Sequence, residues 1–211
     1  MVPPQINSVI FDLGGVLFDI DYRLTQRAFM NLGAHKSFEE LYSQQKQTGL
    51  FDDFEKGIIS PAVFRSRLKE LLPGNITDTQ IDSAWNALLI GFPEKKAEIL
   101  KKIGKKYRIF LLSNTNEIHL PAVMQMSALL NGNKGFEGLF EKYYYSCRMG
   151  MRKPDRVIFE KVCKENHLTP STTLFIDDSI QNIEGAERAG LSALHYTPDI
   201  SFETYFNLSP A

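Results

Sequence analysis

Cysteine is scarce in this sequence. Cys147 follows a tyrosine-rich run and Cys163 falls in a helical pattern, and there is no third. Two separated thiols cannot build a disulfide framework, and with only four scattered histidines (His35, His119, His167 and His195) they do not spell a Cys/His zinc site or a nucleophile triad. An excess of one charge is also missing. Twenty-four Lys and Arg against 25 Asp and Glu leave a net charge of -1, so no basic block tracks a nucleic acid backbone or an anionic membrane. No apolar run approaches the roughly 20 residues that span a bilayer. The N-terminal MVPPQINSV has no basic stretch leading an apolar core. Internal repeats and low-complexity segments are absent too. These gaps lead us to expect a cytoplasmic protein whose partner is a small molecule, with neither nucleic acid nor membrane involved. The 211 residues, 43% hydrophobic and 23% charged, suffice for a large buried core, either as one domain or as a domain carrying an insertion.

Short apolar runs recur along the chain, each followed by a polar turn and a helical pattern: SVIFD, YRIFLLSN, YYYS, TLFIDD and SALHY. Strands alternating with helices predict an α/β fold with a parallel sheet covered on both faces. From about Phe18 to Phe92 the strand signal disappears. Leu24, Ala28 and Leu32 recur at helical spacing, Ser60-Pro61 reads as an N-cap and first helical residue, and Thr77 with Gln80 fits a capping box ahead of Trp85. An all-helical insert after the first strand is expected, residues 18–92, interrupting a core of residues 1–17 and 93–211.

Three runs end in chemically useful residues: Asp12, then Ser113 and Asn114, then Asp177 and Asp178. In a parallel sheet the carboxyl ends lie side by side at one crevice. Carboxylates crowded there repel one another unless a cation sits among them, and hard oxygen donors suit Mg²⁺. The glycines after Asp12 leave backbone N–H groups free to form an anion nest. Lys153, in RKPD ahead of a helix, offsets negative charge. Together the parts describe a phosphate site with a carboxylate nucleophile.

FDLGGVL, LLSNTN, GMRKPD and FIDDSIQNIEGA, in this order and with a helical insert after the first, resemble the haloacid dehalogenase (HAD) superfamily. The likeness is closest to its phosphatase branch that includes α-D-glucose-1-phosphate phosphatase. It implies a Rossmann-like core with a helical cap and a Mg²⁺-dependent phosphatase of small phosphorylated metabolites, sugar 1-phosphates among them, working through an aspartyl phosphate on Asp12. The phosphate would lie against the backbone of Leu13 and Gly14, with Ser113, Asn114 and Lys153. The metal would take Asp12, the Gly14 carbonyl, Asp178 directly and Asp177 through water. Phe51, Phe54 and Glu55, in the stretch where related caps carry a specificity loop, and Trp85 are candidates for substrate selection. Cap core and solvent exposure are the plainer readings of Trp85 and Glu55.

Gly14 departs from the wider family, where a second aspartate protonates the leaving oxygen. General acid catalysis is worth about 10²–10⁴-fold, so either Asp19, Asp21 or Glu55 substitutes, or the leaving group needs little help, as an anomeric oxygen does. Asp19 and Asp21 also read as caps of the first insert helix. Asn182 reads as a brace for the acidic loop, and Arg148 and Arg152 as surface charges. Two alternatives share these residues: a metal-independent 2-haloacid dehalogenase, and a phosphate-binding regulatory protein whose catalysis has weakened.

Overall fold

The computed structural model describes residues 1–34 and 49–208. His35 lies outside them. Five parallel strands form the central sheet: β1 (Ser8–Phe11), β4 (Arg108–Ser113), β5 (Lys142–Tyr145), β6 (Thr173–Asp177) and β7 (Ser192–His195), in the order β5-β4-β1-β6-β7. All five correspond to apolar runs in the sequence. Side chains alternate between the sheet's faces. Val9, Phe11, Leu111, Leu174 and Ile176 pack toward the Glu94–Ile103 helix and the C-terminal Phe202 and Phe206. Ile10, Phe110, Leu112 and Phe175 pack toward the Arg156–Glu165 and Ile180–Arg188 helices. Both faces are therefore buried, as an uninterrupted apolar run requires.

Register places the chemistry. Phe11 pairs with Leu111 on one side and Ile176 on the other, so the next residue, Asp12, stands level with Asp177 at the carboxyl end of the sheet. From β1 the chain builds outward first to β4 and β5 and only later to β6 and β7, which makes β1 the point where the winding reverses.

The insert follows. Helices span Tyr22–Asn31, Gly49–Glu55, Pro61–Glu70 and Asp78–Asn86. Ser60 caps the third through Val63 N–H, and Thr77 and Gln80 complete the capping box of the fourth. Two details differ from the sequence reading. The first helix buries Thr25 and Phe29 most deeply, the Thr25 hydroxyl bonding the Trp85 carbonyl at 3.0 Å and accepting from Leu88 N–H at 3.1 Å, while Ala28 and Leu32 of the expected stripe are half-buried against the insert's core and Leu24 is not part of it. The insert's two ends also pair as a short antiparallel ribbon, β2 (Asp19–Ile20) with β3 (Leu89–Gly91), elements too brief to leave a periodic signal. Aromatic rings fill the insert: Phe51, Phe64 and Trp85 lie within 4.9–5.9 Å of one another by ring centroid, and Phe54 stacks on Phe64 at 4.0 Å.

The insert is fastened to the sheet domain near the site. Ser146 is fully buried. Its hydroxyl lies 2.7 Å from the Glu55 carbonyl and accepts from Thr115 N–H at 2.9 Å. At Gly57, φ is +67° and a Cβ would fall 2.0 Å from the Cys147 carbonyl oxygen, so only glycine allows this approach. Among the described residues no helix is long and apolar enough to cross a membrane.

Candidate active site

Asp12, Asp177 and Asp178 each bring a carboxylate oxygen within 4.8 Å of the others. Lys153 reaches into the cluster with its side chain 1% exposed, and its Nζ lies 2.6 Å from both Asp12 Oδ1 and Asp177 Oδ2. Burial pulls the lysine's pKa down, but the Asp12 and Asp177 carboxylates outweigh it and hold the pKa above its ordinary value. Asp12 is pushed up to about 8, chiefly by burial, with Lys153 opposing and Asp177 and Asp178 adding to the rise. Three carboxylates against one ammonium leave a net negative, desolvated cluster, which is the charge condition a divalent cation relieves. The donor set thus fits Mg²⁺, a cation satisfied by one or two carboxylates plus phosphate oxygens and water.

The members differ in how they are held. Asp177 is fully buried and accepts from Lys153 Nζ, from Ser179 N–H at 2.8 Å and from Asn182 Nδ2 at 3.0 and 3.1 Å. Asn182 is the brace its position suggests. Asp178 lies on the cavity wall, and its carboxylate occupies the space beside Gly15: with φ at +73°, a Cβ there would sit 2.2 Å from Asp178 Oδ2. The loop after Asp12 closes through Gly15 N–H to the Phe18 carbonyl and through Leu17 and Phe18 N–H to the Leu13 carbonyl. None of these bonds uses the Leu13 or Gly14 N–H, and both residues line the cavity, the arrangement an anion nest requires.

Ser113 and Asn114 also reach the wall. The Asn114 amide, however, is engaged at both ends with the Lys153 backbone, at 2.9 and 3.0 Å. These two bonds tie it to the Lys153 backbone.

Around this floor lies a cavity of about 140 Å³, the scale of a small molecule. Its polar wall includes Tyr22, Glu55, His119 and Arg152, and its apolar wall Phe18, Ile20, Leu88, Leu89 and Val123. The sequence-predicted residues divide accordingly. Glu55 lines the cavity. Phe51, Phe54 and Trp85, each 1% exposed, are packed in the insert's core and do not reach it. Among the candidate acids, Asp19 pairs with Lys96 at the surface. Asp21 caps the Tyr22–Asn31 helix and bonds Arg23. Neither lines the cavity. Arg148 pairs with Glu117 at the surface as expected. Arg152 does not behave as a surface charge: only 18% exposed, its guanidinium bonds Asp52 at 2.8 Å and Glu55 at 2.9 Å, tying sheet domain to insert. Tyr22 and His119 had no motif to mark them. Burial, reinforced by the Glu55 and Asp178 charges, raises the Tyr22 phenol's pKa, so it keeps its proton.

A parallel sheet wound outward from β1, a helical insert after that strand, and an aspartate–lysine cluster at the strand ends define a hydrolase of the HAD type. The sequence profile of the haloacid dehalogenase-like hydrolases matches residues 6–190, and the chain belongs to this family. It is 32% identical over 204 residues to D-ribitol-5-phosphate phosphatase of Bacteroides thetaiotaomicron, covering 95% of this chain and 91% of that protein. It is 27% identical to the sesquiterpene phosphatase astK of Aspergillus oryzae, covering 92% of each. Among solved structures it superposes on a Bacteroides thetaiotaomicron HAD-family enzyme, an aspartate-to-alanine variant with magnesium and inorganic phosphate, at a TM-score of 0.88 and 35% identity, covering 95% and 98% of the two chains. The chain is a HAD-type phosphatase, a phosphoric monoester hydrolase that uses magnesium.

Proposed function

We propose that the chain hydrolyses a small phosphorylated sugar or sugar alcohol, with Asp12 as the nucleophile. The observation that carries this is the Lys153 ammonium bridging Asp12 and Asp177 at the floor of a cavity whose upper wall is rich in hydrogen-bonding groups. When bound, Mg²⁺ supplies positive charge for the phosphate, held by Asp12, Asp178 and the Gly14 carbonyl. The three donors that Asp177 already serves, Lys153, Ser179 and Asn182, favour an indirect role for it, through water. The Leu13 and Gly14 N–H groups, the Ser113 hydroxyl and Lys153 receive the phosphoryl oxygens, and charge developing there meets fixed donors. An Asp12 carboxylate oxygen attacks phosphorus, the bond from phosphorus to the leaving oxygen breaks, and that oxygen takes a proton from solvent water. Water then adds to the aspartyl phosphate, releasing inorganic phosphate and regenerating the Asp12 carboxylate.

The similarity to D-ribitol-5-phosphate phosphatase and the polar wall favour a polyol or sugar phosphate. A narrower reading, a sugar 1-phosphate, draws on Gly14. Of the three candidate acids only Glu55 reaches the cavity, and it is already paired with Arg152. A leaving group acidic enough to depart with little help fits that arrangement.

Phosphate release from a panel of phosphorylated metabolites, with Mg²⁺ and in EDTA, tests the reading. We expect release from polyol and sugar phosphates only with Mg²⁺, and none from Asp12→Asn, which keeps the shape and loses the nucleophile. Chloride release from 2-haloacids in EDTA would point to a dehalogenase. Bound Mg²⁺ and phosphate without turnover would point to a binding protein.

A further inference from the structure

His119 is 8% exposed, lines the cavity and has no part in the phosphate chemistry above. Its place is fixed from both sides of the cleft. The Asn116 side chain accepts from His119 N–H at 3.0 Å and from Trp85 Nε1 at 3.3 Å. The imidazole stacks on the Trp85 ring at 5.0 Å and 8°, and its Nδ1 lies 2.7 Å from Asn86 Oδ1. An amide oxygen only accepts, so Nδ1 carries the proton and Nε2 keeps its lone pair. Burial holds the ring neutral, with a pKa of about 3. Nε2 meets no hydrogen-bond partner among the described residues, yet it is not one of the sealed buried polar atoms either. In a cavity-lining residue, such an atom opens on the cavity.

We propose that His119 is a specificity-determining residue whose Nε2 accepts a hydrogen bond from a hydroxyl of the substrate's leaving group. The inference rests on the phosphatase reading and narrows it to hydroxylated leaving groups. A fixed, desolvated acceptor is satisfied by a hydroxyl donor and left unpaired by an alkyl chain, a difference of about ten- to hundredfold in binding. The neutral ring has no proton to give at Nε2, so it selects substrate and does not replace the acid missing at position 14.

The test compares kcat/KM of wild type, His119→Phe and His119→Gln on a polyol phosphate and on an alkyl phosphate of equal length, at saturating Mg²⁺. His119→Phe keeps a ring against Trp85 and loses the acceptor. It is expected to lower the polyol rate about ten- to hundredfold, with the alkyl rate and inhibition by inorganic phosphate within about twofold. His119→Gln brings an amide oxygen near the Nε2 position and should retain more of the polyol rate than the phenylalanine variant. An equal fall on both substrates, or none on either, overturns the proposal. Should His119→Phe fail to fold, single-deoxy polyol phosphates on wild type decide: one position must lose about tenfold, and its absence overturns the proposal. Calorimetric binding of the same two phosphates to Asp12→Asn, with and without His119→Phe, reads the contact without turnover. A His119-dependent preference for the polyol there, combined with no phosphate release by wild type, sinks the phosphatase reading and leaves only the hydroxyl contact at His119 standing.

Discussion

Replacing Lys153 with methionine keeps a side chain of similar length and removes the only cation bonded to both Asp12 and Asp177 among the described residues. Each of its two contacts is 2.6 Å long, and the side chains are 1% exposed for the lysine, 10% for Asp12 and 0% for Asp177, so the pairs are largely desolvated. Two charge-assisted bonds at about 1.5–3 kcal/mol each give about 3–6 kcal/mol, which agrees with the ~3–5 kcal/mol typical when one partner of a buried pair is lost. In a chain of this size that lowers Tm by about 6–24 °C, measured by thermal unfolding in EDTA. The pH dependence has a definite sign. Asp12 is already raised with the lysine present, and without the lysine's opposing charge burial and the neighbouring carboxylates raise it further. A carboxyl whose folded pKa exceeds its unfolded value contributes stability that is fully present below the unfolded pKa and lost as pH rises through the folded one. The deficit of Lys153→Met should therefore widen toward alkaline pH and close toward acid. Adding Asp12→Asn to this variant removes one stranded carboxylate and should recover about half of the loss. Stability within about 0.5 kcal/mol of wild type across about pH 5–9 would refute the reasoning.

Gly15→Ala should weaken Mg²⁺ binding at least tenfold, about 1.4 kcal/mol, because its Cβ would displace Asp178 Oδ2 from 2.2 Å; unchanged affinity by calorimetry would remove Asp178 from the metal site. Gly14 has an ordinary φ, and a Cβ there meets Ile20 Cδ1 at 3.0 Å, so Gly14→Asp needs Ile20→Val beside it. If no protein acid serves the leaving group, wild-type kcat/KM should fall steeply as leaving-group pKa rises and the double variant should flatten the slope. A wild-type series that is already flat contradicts this. Ser146→Ala should cost about 1–3 kcal/mol by stranding the Thr115 N–H and the Glu55 carbonyl, and a loss below about 0.5 kcal/mol in chemical denaturation would show that the joint relaxes or admits water.

The three inner strands were legible because both of their faces are buried, which writes them as unbroken apolar runs such as SVIF, IFLL and TLFI, while the half-exposed edge strands β5 and β7 carry shorter apolar stretches. Strand-end residues followed directly, since a parallel sheet aligns its carboxyl ends. Ser60 and the Thr77–Gln80 box were legible because capping is local in sequence. The ribbon of β2 and β3 was not, since two- and three-residue strands have no period and are held only by each other. Phe51 and Phe54 lie in the stretch expected to meet substrate, yet they turn into the insert because a helix of seven residues buries one face. Arg152 looks like a surface charge until the Gly49–Glu55 helix brings Asp52 and Glu55 against it, a juxtaposition between residues about a hundred positions apart. His119 is a lone histidine, and only the fold shows that Asn116 and Asn86, one on either side of the cleft, orient it.

The separation of the insert's aromatic interior from the cavity wall bears on how this scaffold can diversify. Phe51, Phe54, Phe64 and Trp85 keep the lid's shape whatever lies beneath it, while Tyr22, Glu55 and His119 line the cavity wall. Exchanging a wall residue disturbs a handful of polar contacts; exchanging an interior ring opens a void costing about 3–5 kcal/mol. Substrate preference can therefore drift by single changes that the fold survives. A library confined to those three wall positions should yield mostly folded enzymes with altered appetites, whereas one aimed at the lid's rings should yield mostly precipitate.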